Sequence, residues 1–84
     1  QKELPVSRFE DIDIDVIELS VSSSCRYLRK NYTIEQLSDE LCIGLISRYD
    51  ELLIPNRYTE LQANDKLLII VKEENISKVE KLFQ

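Results

Sequence analysis

Residues 54–71, IPNRYTELQANDKLLIIV, decide how this chain folds. An apolar strand end runs into Pro55, which has no N–H to donate to a ladder and so predicts that pairing stops there. A polar loop follows, and then Asn64-Asp65 predicts a turn, because Asn tolerates a positive φ better than most residues that carry a Cβ. Residues 66–71, KLLIIV, are apolar after the lysine. A run of this length reads as a strand covered on both faces and central to a sheet, with Leu68 and Ile70 among its buried side chains.

Working outward, CIGLISR (42–48) and ELLIP (51–55) flank Tyr49-Asp50, which predicts a hairpin with a short turn. Gly44 inside the first of these strands marks a bulge or a close approach of another group. IDIDVIELSV (12–21) alternates with period two, but its phase changes at Val16-Ile17. That predicts a strand with a bulge there, or one covered on both faces. In CRYLRKNYTIEQLSDEL (25–41), Thr33 and Gln36 fit a capping box, and Ile34, Leu37 and Leu41 share one helical face. A helix is expected, with Tyr27 and Leu28 packing a short turn onto the sheet before it. EENISKVEKLF (73–83) closes the chain as a helix capped by Asn75, with Ile76, Val79, Leu82 and Phe83 as its apolar stripe. Residues 1–11 read as a linker and 12–84 as one domain. The expected fold class is α+β: a small mixed, mostly antiparallel sheet of about four strands with packed helices, in the order β-α-β-β-β-α.

Composition narrows the function. The chain has 84 residues, 43% hydrophobic and 32% charged, with a net charge of −5. An acidic domain of this kind is a poor partner for nucleic acid, whose affinity is dominated by phosphate neutralisation. No apolar run approaches the roughly 20 residues that a membrane-spanning helix needs. The absence of Met and the Gln at position 1 suggest a piece of a longer protein. There is no His, one Gly, and two Cys without CxxC spacing. Zinc ligation, His-based general acid–base chemistry and glycine-rich phosphate cradles are therefore not expected, and Cys25 and Cys42 read as small buried hydrophobes. Neither an enzyme nor a bound metal is expected. Asp13, Asp15 and Glu18 read as solvated strand residues, with no loop to wrap a cation. One basic island, Arg26, Arg29 and Lys30 without an acid from 22 to 34, is either a solvated face or an anion site.

The ordered set of motifs resembles a known family. Arg26-Tyr27-Leu28, Ile46-Ser47-Arg48, Leu53-Ile54-Pro55-Asn56, Thr59 to Leu67, Leu68-Ile69-Ile70-Val71 and Lys81-Leu82-Phe83 follow the pattern of the TrkA-C, or RCK_C, domain. Asn64 stands where that pattern has Gly before the turn Asp, and Cys25 where a Gly often precedes the leucine turn. The resemblance implies a cytosolic regulatory domain of a potassium channel, a cation/proton antiporter or a related transporter. It also implies a homodimer attached to the membrane portion of a parent protein, with no membrane insertion of its own. The expected ligand is a small anion, cyclic di-AMP, rather than a cofactor. The residues expected to line its site are Arg26, Leu28, Cys42, Ile43, Pro55, Asn56 and Arg57. The alternative is a ligand-free structural dimerisation domain of a transporter or of a transcription regulator.

Overall fold

The computed structural model describes residues 13–37 and 39–84; the linker expected at 1–11 and Ile12 lie outside them. Four strands form one sheet: β1 (Ile14–Ser20), β2 (Leu41–Arg48), β3 (Glu51–Leu53) and β4 (Lys66–Lys72), side by side in the order β1-β4-β2-β3. Every ladder is antiparallel. Helix α1 (Arg26–Arg29) lies between β1 and β2, and α2 (Ile76–Leu82) closes the chain. The expected α+β class and element order are therefore present.

The hairpin forms as its sequence predicts. Tyr49 and Asp50 both take positive φ, 50° and 64°, the geometry of the tight turn whose twist matches a strand pair. Asn64 likewise sits at φ 70°. Its N–H donates to Val21 O at 2.9 Å, while the N–H of Val21 donates to Asp65 O at 2.8 Å. The turn before β4 is thus tied to the end of β1.

β4 is central, yet it is not covered on both sides. Burial alternates along it: Leu67, Ile69 and Val71 are buried, whereas Leu68 and Ile70 are 37% and 38% exposed. The inward face meets Ile43 and Ile46 of β2, Tyr27 of α1, and Val79 and Phe83 at α2, with Val21, Cys25, Leu37 and Leu61 filling the rest. Phe83 and Tyr32 both lie against Tyr27, the latter edge-on at 5.1 Å between centroids.

Several expectations are corrected. The bulge is absent from Val16-Ile17, where the β1·β4 register runs unbroken from Ile14↔Lys72 to Ser20↔Lys66. It falls in β2 instead, between Ile43 and Leu45, around Gly44. No close approach accompanies it: a Cβ on Gly44 would meet Leu68 O at an ordinary 3.7 Å. The expected helix after Thr33 is a single 3-10 turn, Ile34–Gln36. Its capping interaction is real, with Gln36 Oε1 accepting from Thr33 N–H at 2.8 Å. The turn ends at Leu37, whose backbone is extended (φ −78°, ψ 174°), while its orphan Ile34 and Glu35 N–H groups donate to Thr59 O and Arg57 O, at 2.9 and 3.1 Å. Asn75 ends another 3-10 turn and makes no side-chain cap on α2. Of the two cysteines, Cys25 is buried but Cys42 is exposed.

Candidate functional site

Among the described residues nothing packs over one face of the sheet, whose side chains follow from simple strand parity. Residues directly opposite one another in an antiparallel ladder project to the same side. Opposite Ile70 stand Val16 on β1 and Cys42 on β2, and opposite Leu68 stand Glu18 and Leu45. A third row holds Ser20, Lys66, Ser47 and Leu52. Val16 is 45% and Leu52 72% exposed. Two shallow hollows mark this face. One, of about 250 Å³, is lined by Ile14, Cys42, Ile70 and Lys72 among others; the second, of about 350 Å³, lies between Glu18, Leu45, Leu52 and Leu68. The face is mostly apolar, with Glu18, Lys66 and Lys72 as charges among its ladder residues.

The expected ligand residues fall into three regions of the chain. Cys42 stands on the open face, in the row of Val16 and Ile70. Ile43, its neighbour, points the other way into the core at 7% exposure. Any part Ile43 plays at a ligand surface therefore runs through the placement of its strand. Pro55, Asn56 and Arg57 form the loop beyond β3. Asn56 Oδ1 accepts from Tyr58 N–H at 2.8 Å, and Asn56 N–H donates to Thr59 Oγ1 at 2.9 Å. The loop is therefore self-braced, and its Asn side chain is already engaged. Arg57 reaches towards Glu35, 3.9 Å away, and its guanidinium lies 5.8 Å from the centre of the Tyr58 ring.

Arg26 and Leu28 occupy α1. Leu28 is partly buried against the core. Arg26 is fully exposed, but its guanidinium sits 5.2 Å from the centre of the Tyr27 ring and donates to Tyr27 Oη at 3.5 Å. That hydrogen bond, helped by the charge interaction with the same tyrosine, raises the Arg26 pKa above its ordinary value. Arg26 and Arg29 border a depression of about 460 Å³ whose opposite wall carries Lys78 and Lys81 of α2. This grouping is not visible in the sequence, since three strands separate α1 from α2 along the chain.

A fourth feature is structural. Arg48, at the end of β2, donates from Nε to Asp65 Oδ1 at 2.9 Å and from an Nη to Asp65 Oδ2 at 2.8 Å. Asp65 is 1% exposed and also accepts from Gln62 N–H at 2.8 Å. The bond to Asp65 holds the Arg48 pKa above its ordinary value. Among the described residues no cluster of Cys, Asp and Glu could hold a metal ion.

The sequence model of the TrkA-C domain matches residues 16–84. No curated protein matches the chain. Among solved structures, one described as "Structure of RCK domain with cda" superposes with a TM-score of 0.67 at 15% identity, covering 82% of this chain and 97% of its own. At that identity the likeness is one of fold.

Proposed function

The chain belongs to the TrkA-C domain family, regulatory rather than catalytic domains of potassium transport systems, and we propose that it works as a homodimer that binds cyclic di-AMP on the cytosolic side of a transporter. The observation that carries the dimer is the open sheet face. Val16, Leu45, Leu52, Leu68 and Ile70 place apolar surface in water on a chain of 84 residues, whose small core gains from further burial. Two-fold pairing of identical faces is the commonest way to cover such a surface. Among the described residues no helix is long and apolar enough to cross a membrane, so attachment to a transporter would run through other parts of the parent protein.

The ligand follows from the dimer. Arg26 with Leu28, Cys42 with Ile43, and the loop Pro55-Asn56-Arg57 stand in separate regions of one chain, so a site that uses them all is composite and draws on both copies. A cyclic dinucleotide has two phosphates related by two-fold symmetry, and a symmetric dimer offers each phosphate the same donors. The Arg26 and Arg57 guanidiniums suit phosphate oxygens and stack on bases. Pro55 and Leu28 supply apolar contact, and the 55–58 loop is rigid before a ligand arrives. Calorimetry with cyclic di-AMP tests this: binding at one ligand per dimer, weakened in Arg57→Ala, is expected. Silence at tens of micromolar removes the ligand. The separation of the three regions favours, in that event, the second reading, a ligand-free dimerisation domain of a transporter or a transcription regulator.

A further inference from the structure

The depression between α1 and α2 gathers positive charge on a chain that is acidic as a whole. The chain carries −5 overall, yet Arg26, Arg29, Lys78 and Lys81 converge on this one hollow. Each pair is spaced three residues apart and so shares a face of its own helix. Arg26 and Arg29 in α1 and Lys81 in α2 stand in last turns, where helix carbonyls favour a cation. That accounts for a cation at each helix end. It does not explain why the cations of two helices face each other across the same space. Of the four, only Lys78 has an ion pair among the described residues, to Glu40 at 3.0 Å.

The walls are fixed before any ligand arrives. Ser22 N–H donates to Phe83 O at 2.9 Å and Cys25 Sγ–H to Leu82 O at 3.4 Å. These bonds lock the approach to α1 onto the end of α2. They also occupy two terminal carbonyls that would otherwise repel an anion. Arg26 is held over the ring of Tyr27, itself buried against Phe83 and Tyr32. A guanidinium oriented in this way loses little freedom on binding. The hollow, about 460 Å³, lies within the usual range of small-molecule sites.

We propose that this depression is a second anion site, for a triphosphate group, free or carried by a nucleotide. Among the described residues Arg26, Arg29 and Lys81 have no ion pair, and with Lys78 they put cations of both helices on one hollow. A chain of phosphates carries more charge and more acceptor oxygens than a single phosphate, so it can take charge-assisted bonds from both helices at once. Arg26 is shared with the cyclic di-AMP reading, whereas Arg29, Lys78 and Lys81 belong to this hollow alone and Arg57 to the other site, so variants at these residues separate the two.

Calorimetry on the full chain with inorganic tripolyphosphate at low salt is the test, with circular dichroism to verify the fold of each variant. Binding is expected, weakened about tenfold by Arg29→Ala or by Lys81→Ala and unaltered by Arg57→Ala. It should fall steadily as salt is added. ATP should bind about as well as tripolyphosphate, and adenosine should not bind. Absence of heat with tripolyphosphate overturns the site. So does binding that survives both Arg29→Ala and Lys81→Ala, that drops equally in Arg57→Ala, or that adenosine reproduces.

Discussion

Arg48 and Asp65, 17 residues apart, meet through two parallel hydrogen bonds of 2.9 and 2.8 Å. The same guanidinium also donates to Glu60 O at 2.9 Å. One side chain therefore joins the end of β2 to both ends of the 60–65 segment, and Asp65 does so with almost no contact with water. Asp65→Ala strands a partly buried guanidinium and frees the Gln62 N–H, so it should cost about 3 kcal/mol in urea unfolding. The raised Arg48 pKa fixes the pH behaviour. A folded value above the unfolded one means the stabilisation is complete below the unfolded arginine pKa and is lost only as pH climbs through the still higher folded value. The Arg48 titration should thus leave stability constant through the neutral range and lower it in strong alkali.

Leu67→Ala and Leu68→Ala should differ sharply although the residues are adjacent. Leu67 has no exposed surface, and its truncation should cost about 2–5 kcal/mol. Leu68 faces outwards, and its truncation in dilute monomer should cost less than about 1 kcal/mol. Equal losses by chemical denaturation would mean that the outer face is covered within a single chain.

Ile70→Lys probes the pairing of copies. It stands between Val16 and Cys42 on the open face, so a lysine there keeps the fold and opposes self-association. Sedimentation should give twice 9.9 kDa for the unaltered chain and 9.9 kDa for the variant, with unchanged circular dichroism. A single 9.9 kDa species for the unaltered chain at micromolar concentration removes the dimer.

Asn64 and Gly44 make a pair of opposite tests. Asn64 sits at φ 70°, so Asn64→Ala should cost about 1 kcal/mol while Asn64→Gly is tolerated. Gly44 has no positive φ and has room for a methyl group. Gly44→Ala should be neutral, or stabilise by about 0.5 kcal/mol through the unfolded chain. Melting curves of the three variants decide both.

The hairpin and the turn at Asn64 are legible in the sequence because their residue types answer a local demand for positive φ. The central position of β4 is legible from its apolar run, but its facing is not. Leu68 and Ile70 are as apolar as Leu67 and Ile69, so the alternation that separates the core from the open face is written in the same alphabet on both sides. Thr33 and Gln36 signal a helix start correctly. The turn nevertheless ends at Leu37 in extended backbone, and it docks on a loop more than twenty residues downstream through Arg57 and Thr59 carbonyls that no local pattern reveals. The candidate ligand residues follow from a family pattern, and the fold spreads them over separate regions. The cations of α1 and α2 escape detection for the opposite reason, being brought together only by tertiary packing.

The pairing of β1 with β4 has a consequence for how the domain is made. Among the described residues β1 is the first strand in chain order and an edge of the sheet, and β4 is its one neighbour. Ile14 must wait for Lys72, and Ser22 for Phe83. The hairpin of β2 and β3 can close early, but β1 stays unpaired until nearly the whole domain has been synthesised, and pairings of such long sequence separation are slow to form. A nascent chain stalled before β4 should therefore remain sensitive to protease along β1, and a stall placed far enough beyond Phe83 to clear the exit tunnel should protect it.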